Sequence, residues 1–180
     1  PDNAVSYFVS YYDYYQPEAY IPSTDTYIEK DSDINETIDK LRLAATANLL
    51  TRSDSIVVAS VSCIYNIGSP KEYGNFVLEI AKGAKIGRDQ IIDRVVDLQY
   101  ERSEFGFNRG TFRVRGDTID IYPAYMDNGI RIEVGKKFIK EISEINPVTG
   151  HVEQIKQNFV LYPAKHFMTN PETYKDVFEQ

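Results

Sequence analysis

The sequence predicts an α+β fold: an antiparallel-sheet domain with helices, preceded by a tyrosine-rich β-hairpin and a partial α/β segment. Three observations carry this. From residue 109 onward, β-branched and aromatic runs follow one another across tight turns, the pattern of a meander. The first 27 residues hold seven of the fourteen tyrosines. Between these regions stand one helical periodicity and one short, continuous apolar run, which is a fragment of an α/β layer and not a complete one.

Taken in order, residues 5–15 and 19–30 are rich in Tyr, Val, Phe, Ile and Thr with Pro17 and Pro22 interrupting, and predict two strands of a long hairpin. Asp33 and Glu36 have the spacing of a capping box. Ile34, Ile38, Leu41, Ala45 and Leu49 then recur at helical intervals, which predicts a helix over 34–52. The run SIVVASV at 55–61 predicts a strand buried on both faces of a parallel sheet. Asn66 to Pro70 is a turn cluster where the composition changes, so a boundary is placed near residue 69, giving segments 1–69, 70–169 and a tail 170–180. Helices are expected at about 71–82 and 88–99, then strands at 109–115, 118–122, 130–134, 138–145 and 159–162.

Charge divides the chain more sharply than its net −7 suggests. Residues 1–69 hold four basic and ten acidic side chains, whereas residues 70–169 hold fifteen basic and fourteen acidic. An acidic ribbon repels phosphates, so rings on it could touch nucleic acid only by stacking, with affinity supplied elsewhere. Strand alternation sends Tyr11 and Tyr15 to one face and Tyr12 and Tyr14 to the other, and a thin ribbon has one core to lean on. A half-buried sheet and a base-stacking tool both remain open. A single cysteine, Cys63, excludes an internal disulfide framework, and His151 and His166 have no zinc-like spacing. No apolar run approaches the roughly 20 residues that span a bilayer, and the first residues carry no signal pattern, so a cytoplasmic protein with no membrane partner is expected.

The segments YFVSYYDYYQPEAYIPSTDTYIEK, IDKLR, IVVASVSCIYNIGSP and GTFRVRGDTIDIYPA resemble consecutive stretches of the UvrB family, the damage-verifying subunits of the bacterial excinuclease, from about residue 3 to residue 169. The resemblance implies a hairpin that inserts between the strands of damaged DNA. Tyr11 and Tyr12 would lie toward its base, Tyr14 and Tyr15 would probe the lesion, and Tyr20 and Tyr27 would support the far strand. Glu18 and Lys30 would form a cross-strand ion pair, and Arg42 matches a basic position near the DNA path, although an ordinary helix-surface arginine fits as well. Residues 70–169 would dock on UvrA through Arg102, Arg113, Arg115, Arg131 and Glu133. A solvated strand face equally explains Arg113 and Arg115, which share a face two residues apart.

The same resemblance implies UvrC as a further partner, and ATP and Mg²⁺ as cofactors of a helicase-like parent. This chain contains no GxxxxGK[ST] loop, so it reads as an internal fragment that binds no cofactor and is no enzyme by itself. The alternative is an interaction module alone, a UvrA-binding adaptor without DNA binding, as in the transcription-repair coupling factor. One departure stands out: after Glu133 the family usually reads Phe-Phe-Gly-Asp-Glu, and this chain reads Val134-Gly135-Lys136-Lys137-Phe138. Asp117 and Asp120 flank a turn with no matching acid or histidine, which argues against acid–base chemistry.

Overall fold

The computed structural model describes residues 3–10, 19–21, 26–28, 36–61 and 76–165. Its elements in order are β1 (Ala4–Phe8), β2 (Ala19–Ile21), β3 (Thr26–Ile28), α1 (Glu36–Thr51), β4 (Ser55–Ala59), β5 (Leu78–Ala81) and α2 (Arg88–Asp97). There follow β6 (Glu101–Arg102), β7 (Thr111–Arg115), β8 (Thr118–Tyr122), β9 (Gly129–Val134), β10 (Ile139–Ile145), β11 (Val152–Lys156) and β12 (Asn158–Leu161).

The meander forms as its turns dictate. A six-stranded sheet runs β11-β10-β9-β8-β7-β6, antiparallel except for the short parallel contact of β6 with β7. Gly116 opens the β7–β8 turn at φ +59°, the left-handed value that a primed two-residue hairpin requires at its first position. With only two residues in the turn, the register is fixed: Arg115 faces Thr118, and Arg113 faces Asp120. Alternation then sends Phe112, Ile119, Ile121, Ile130 and Ile132 to one face, where they are fully buried against Ile91, Val95 and Leu98 of α2 and its end. Each such side chain contributes on the order of 1.5–3 kcal/mol when removed from water. The Tyr100 hydroxyl closes the far end of this core by donating to the Tyr162 carbonyl at 2.8 Å.

Three expectations are corrected. Residues 78–81, placed in a helix, form strand β5, which pairs antiparallel with β12; Leu78 and Ile80 alternate inward with Glu79 and Ala81 outward, a period of two that a partner strand rewards and a helix would not. By the same pairing β12, expected as the last strand of the meander, leaves the large sheet for β5. Near the N-terminus, residues 4–8 do not join the tyrosine hairpin. They pair in parallel with β4, and the antiparallel ribbon is β2 with β3, where Tyr20 stands opposite Tyr27 in the backbone register.

The parallel pairing of β4 agrees with the sequence, but burial on both faces does not. Val57 packs on Phe8 and Ala45 of α1, while Ile56 and Val58 are exposed on the other side with Val5 and Tyr7 opposite them. Helix α1 forms within its expected range, yet Leu49 is exposed and the buried positions are Arg42, Leu43, Ala45 and Ala47. One turn of α1 faces β1 and β4 through Ala45, and Leu43 enters the core of the large sheet. Lys40 adds an ion pair to Asp127, so α1 is shared between both regions. The Asp33 cap, the boundary near residue 69 and the tail 170–180 lie outside the described residues.

Candidate partner-docking face

The face of the sheet turned away from α2 is built from the positions that alternate with the core. Arg113 on β7, Asp120 on β8 and Arg131 on β9 are successive partners in one row across three strands. Asp120 is 3% exposed. Arg131 donates to it through Nε at 2.7 Å and a terminal nitrogen at 3.0 Å, and Arg113 donates through Nε at 3.0 Å. Burial by itself raises the Asp120 carboxyl's pKa; the hydrogen bonds and charges of Arg131 and Arg113 outweigh burial and hold it below the usual carboxylate range. Donating these hydrogen bonds to the Asp120 carboxylate in turn holds Arg131 firmly protonated.

The row reaches a loop on each side. The Arg113 guanidinium lies 4.3 Å over the Phe107 ring, and Phe107 meets Tyr122 at 5.4 Å, so the 103–110 loop is seated on one end. At the other end Arg131 donates to the Gly150 carbonyl at 3.3 Å, which seats the turn between β10 and β11. Phe105 projects from the first loop at 95% exposure and Val148 from the second at 92%. Ser103 fixes the first loop by donating from Oγ to the Phe105 carbonyl at 2.8 Å, and Gly106 passes it through φ +84°. Arg115 and Glu133 occupy the next row toward the hairpin turn and are both exposed. The arrangement is a charged surface held by hydrogen bonds, with one exposed apolar side chain on the loop at each end.

The sequence-stated positions thus divide. Arg113, Arg115, Arg131 and Glu133 share this face. Arg102 does not: its parallel register with Phe112 puts it on the α2 side, where it lines a separate cleft with Asp89, Ile92, Asp93 and Val114, and it is paired with Glu104 at 2.9 Å. Arg113 is not a solvated arginine but a partner of Asp120. Sequence reasoning weighed Asp120 only for acid–base chemistry, although the two-residue Gly116-Asp117 turn already places it opposite Arg113. Phe105 and Val148 were missed, and no spacing signal marks them; their exposure exists only in the folded chain. Arg42 is not an exposed helix-surface arginine: at 7% exposure it donates to the Val9 carbonyl at 2.6 Å and lies 4.3 Å over the Phe8 ring, tying α1 to β1. Tyr11, Tyr12, Tyr14, Tyr15, Glu18 and Lys30 lie outside the described residues, and of Tyr20 and Tyr27 only the backbone pairing is described.

Residues 78–167, the stretch that contains this face and its core, match the UvrB interaction domain. The chain belongs to the UvrB family. It is 57% identical over its whole length to the UvrABC system protein B of Leptospira biflexa and 54% identical, again over the whole chain, to that of Streptococcus agalactiae. It is 56% identical over 96% of its length to that of Bifidobacterium longum. The chain spans about a quarter of the length of these UvrB relatives, 27%, 27% and 24% respectively. The 180 residues contain no GxxxxGK[ST] loop, and among the described residues no cluster of three His, Cys, Asp or Glu could hold a metal ion. No helix among the described residues is long and apolar enough to cross a membrane.

Proposed function

We propose that this chain is the portion of a nucleotide excision repair protein that docks on UvrA and carries the lesion-probing hairpin, and that docking uses the face bearing Arg115 and Glu133. The observation that supports this most strongly is the hydrogen-bonded Arg–Asp–Arg row beside the exposed Arg115 and Glu133, with exposed Phe105 and Val148 on the two loops that the row seats. The row keeps the surface in one shape, and Arg115, Glu133, Phe105 and Val148 are the groups left to meet a partner. In the full-length protein, ATP and Mg²⁺ would be bound by segments outside this chain, UvrC would join after loading on damaged DNA, and the protein would act in the cytoplasm. Calorimetric titration of the chain with UvrA should show saturable binding; no heat and no complex on gel filtration would refute the docking reading.

The acidic balance of residues 1–69 favours a second reading, an adaptor that binds UvrA and never touches DNA. The two readings separate at the hairpin. In the full-length protein, Tyr14→Ala with Tyr15→Ala should reduce the preference for lesion-containing over intact DNA at least tenfold, since each lost stacking contact costs about 1–3 kcal/mol. UvrA binding should be unchanged in that variant. Unaltered lesion preference would support the adaptor.

A further inference from the structure

One end of the six-stranded sheet concentrates positive charge that the docking face does not use. The β9–β10 turn closes tightly, with the Gly135 amide donating to the Phe138 carbonyl at 2.7 Å, and projects Lys136 and Lys137 into solvent. The loop before α2 is laced to the same turn, since the Gly83 amide donates to the Ile139 carbonyl at 2.8 Å and the Ile139 amide to the Ala84 carbonyl at 3.0 Å. That loop presents Lys85. Arg88, at the start of α2, donates to the Gly116 carbonyl at 3.2 Å and so joins the β7–β8 turn to the same assembly. Together these segments wall an open cleft of about 960 Å³.

Its charge is unbalanced. Lys85, Arg88, Lys136 and Lys137 line it against Asp89 and Asp117. Arg88 is paired with Asp89, whereas among the described residues no ion pair joins Lys85, Lys136 or Lys137. Such a cluster in a chain of net charge −7 is a local feature and not a reflection of overall composition. Phe138, 46% exposed, lines the same cleft as these lysines, together with Gly83, Gly87 and Gly135.

We propose that this cleft is a binding site for the phosphate backbone of a single-stranded nucleic acid, separate from the docking face. Lysine ammonium groups spread over three backbone-linked segments suit successive phosphates as point charges, and their affinity comes from counterion release. One ring among cations suits a stacked base, which is the combination found where single strands are bound without sequence preference. An acidic peptide would be held by the same charges, but the cleft offers it one ring and no further apolar pocket. The site does not depend on the UvrA reading.

The test is fluorescence anisotropy of a labelled single-stranded oligonucleotide titrated with the 180-residue chain at several salt concentrations. The comparison variant carries Lys85→Glu, Lys136→Glu and Lys137→Glu, all exposed positions whose replacement leaves the core intact; its melting curve is measured alongside. The wild-type chain should bind at low salt, and the variant should bind at least tenfold more weakly with a log–log salt slope smaller by about 2. Equal affinities and slopes, or no binding by the wild type at low salt, would overturn the proposal. Polyglutamate in place of the oligonucleotide should bind more weakly; equal or tighter binding would also overturn it, in favour of an acidic protein partner.

Discussion

Asp120→Ala is expected to destabilise the sheet domain by about 3–5 kcal/mol, the range found when one partner of a buried ion pair is removed and the other charges are stranded. The carboxylate is almost fully enclosed, and its loss leaves Arg113 and Arg131 facing each other across β8 without the counter-charge they share. The two seated loops lose their anchor at the same time, because Phe107 rests under Arg113 and Gly150 accepts from Arg131. For a domain of this size, a loss of that order lowers the melting temperature by roughly 10–30 °C. Thermal unfolding followed by circular dichroism checks this, and a change under about 3 °C would show that the row is not structural. The pH dependence has a definite sign. A carboxyl held below its ordinary value contributes stability that is fully present above the unfolded pKa, about 3.9, and is lost as pH falls through the lowered folded value. The wild type should therefore lose stability on acidification below about pH 4, and Asp120→Asn should lose less over the same window.

Reversing the exposed pair, Arg115→Glu together with Glu133→Lys, is expected to weaken UvrA binding about 10- to 100-fold without moving the melting temperature by more than a degree or two. Both side chains are exposed at the end of the sheet, so their change costs little in folding. At an interface the same change turns two attractive contacts into like-charge contacts, each costing on the order of 1 kcal/mol or more. This variant separates docking from folding in a way that Arg113→Ala cannot. Arg113 holds Asp120 and Phe107, so its removal would weaken binding through loss of structure even if it never touched a partner. Calorimetry of the variant and the wild type against UvrA measures the effect; matching affinities would place docking elsewhere.

What the sequence could show depended on whether short-range chemistry or a distant partner decided each element. The Gly116-Asp117 turn fixes β7 and β8 within twelve residues, and from that register the row of Arg113 and Asp120 follows directly. Strand β5 could not be read this way. The run from Phe76 to Ala81 fits a helical or an extended pattern about equally, and its partner β12 lies some 80 residues on. Strand β11 was passed over because it is an outer strand with Val152 and Ile155 exposed, and so lacks an inward apolar pattern. The parallel pairing of β1 with β4 was hidden by the tyrosines that follow it, which made residues 5–15 look like one long strand. Of the docking face, the four co-facial charges were legible from the UvrB resemblance and strand parity, while the hub between them and the two apolar tips needed the fold. Arg102 was named from the resemblance alone; its two-residue strand runs parallel to β7, and that register, which the turns of the antiparallel meander do not fix, places it on the α2 side.

The most direct test asks which side of the sheet UvrA covers. In a Cys63→Ser background, single Arg115→Cys and Asp93→Cys variants place a thiol on the charged face and on the α2 side respectively, and each is reacted with a thiol reagent with and without UvrA. Saturating UvrA should slow labelling at position 115 at least tenfold and leave position 93 unaffected. Protection at position 93 with free reaction at position 115 would contradict the assignment and move the docking surface to the side of the sheet that carries Arg102.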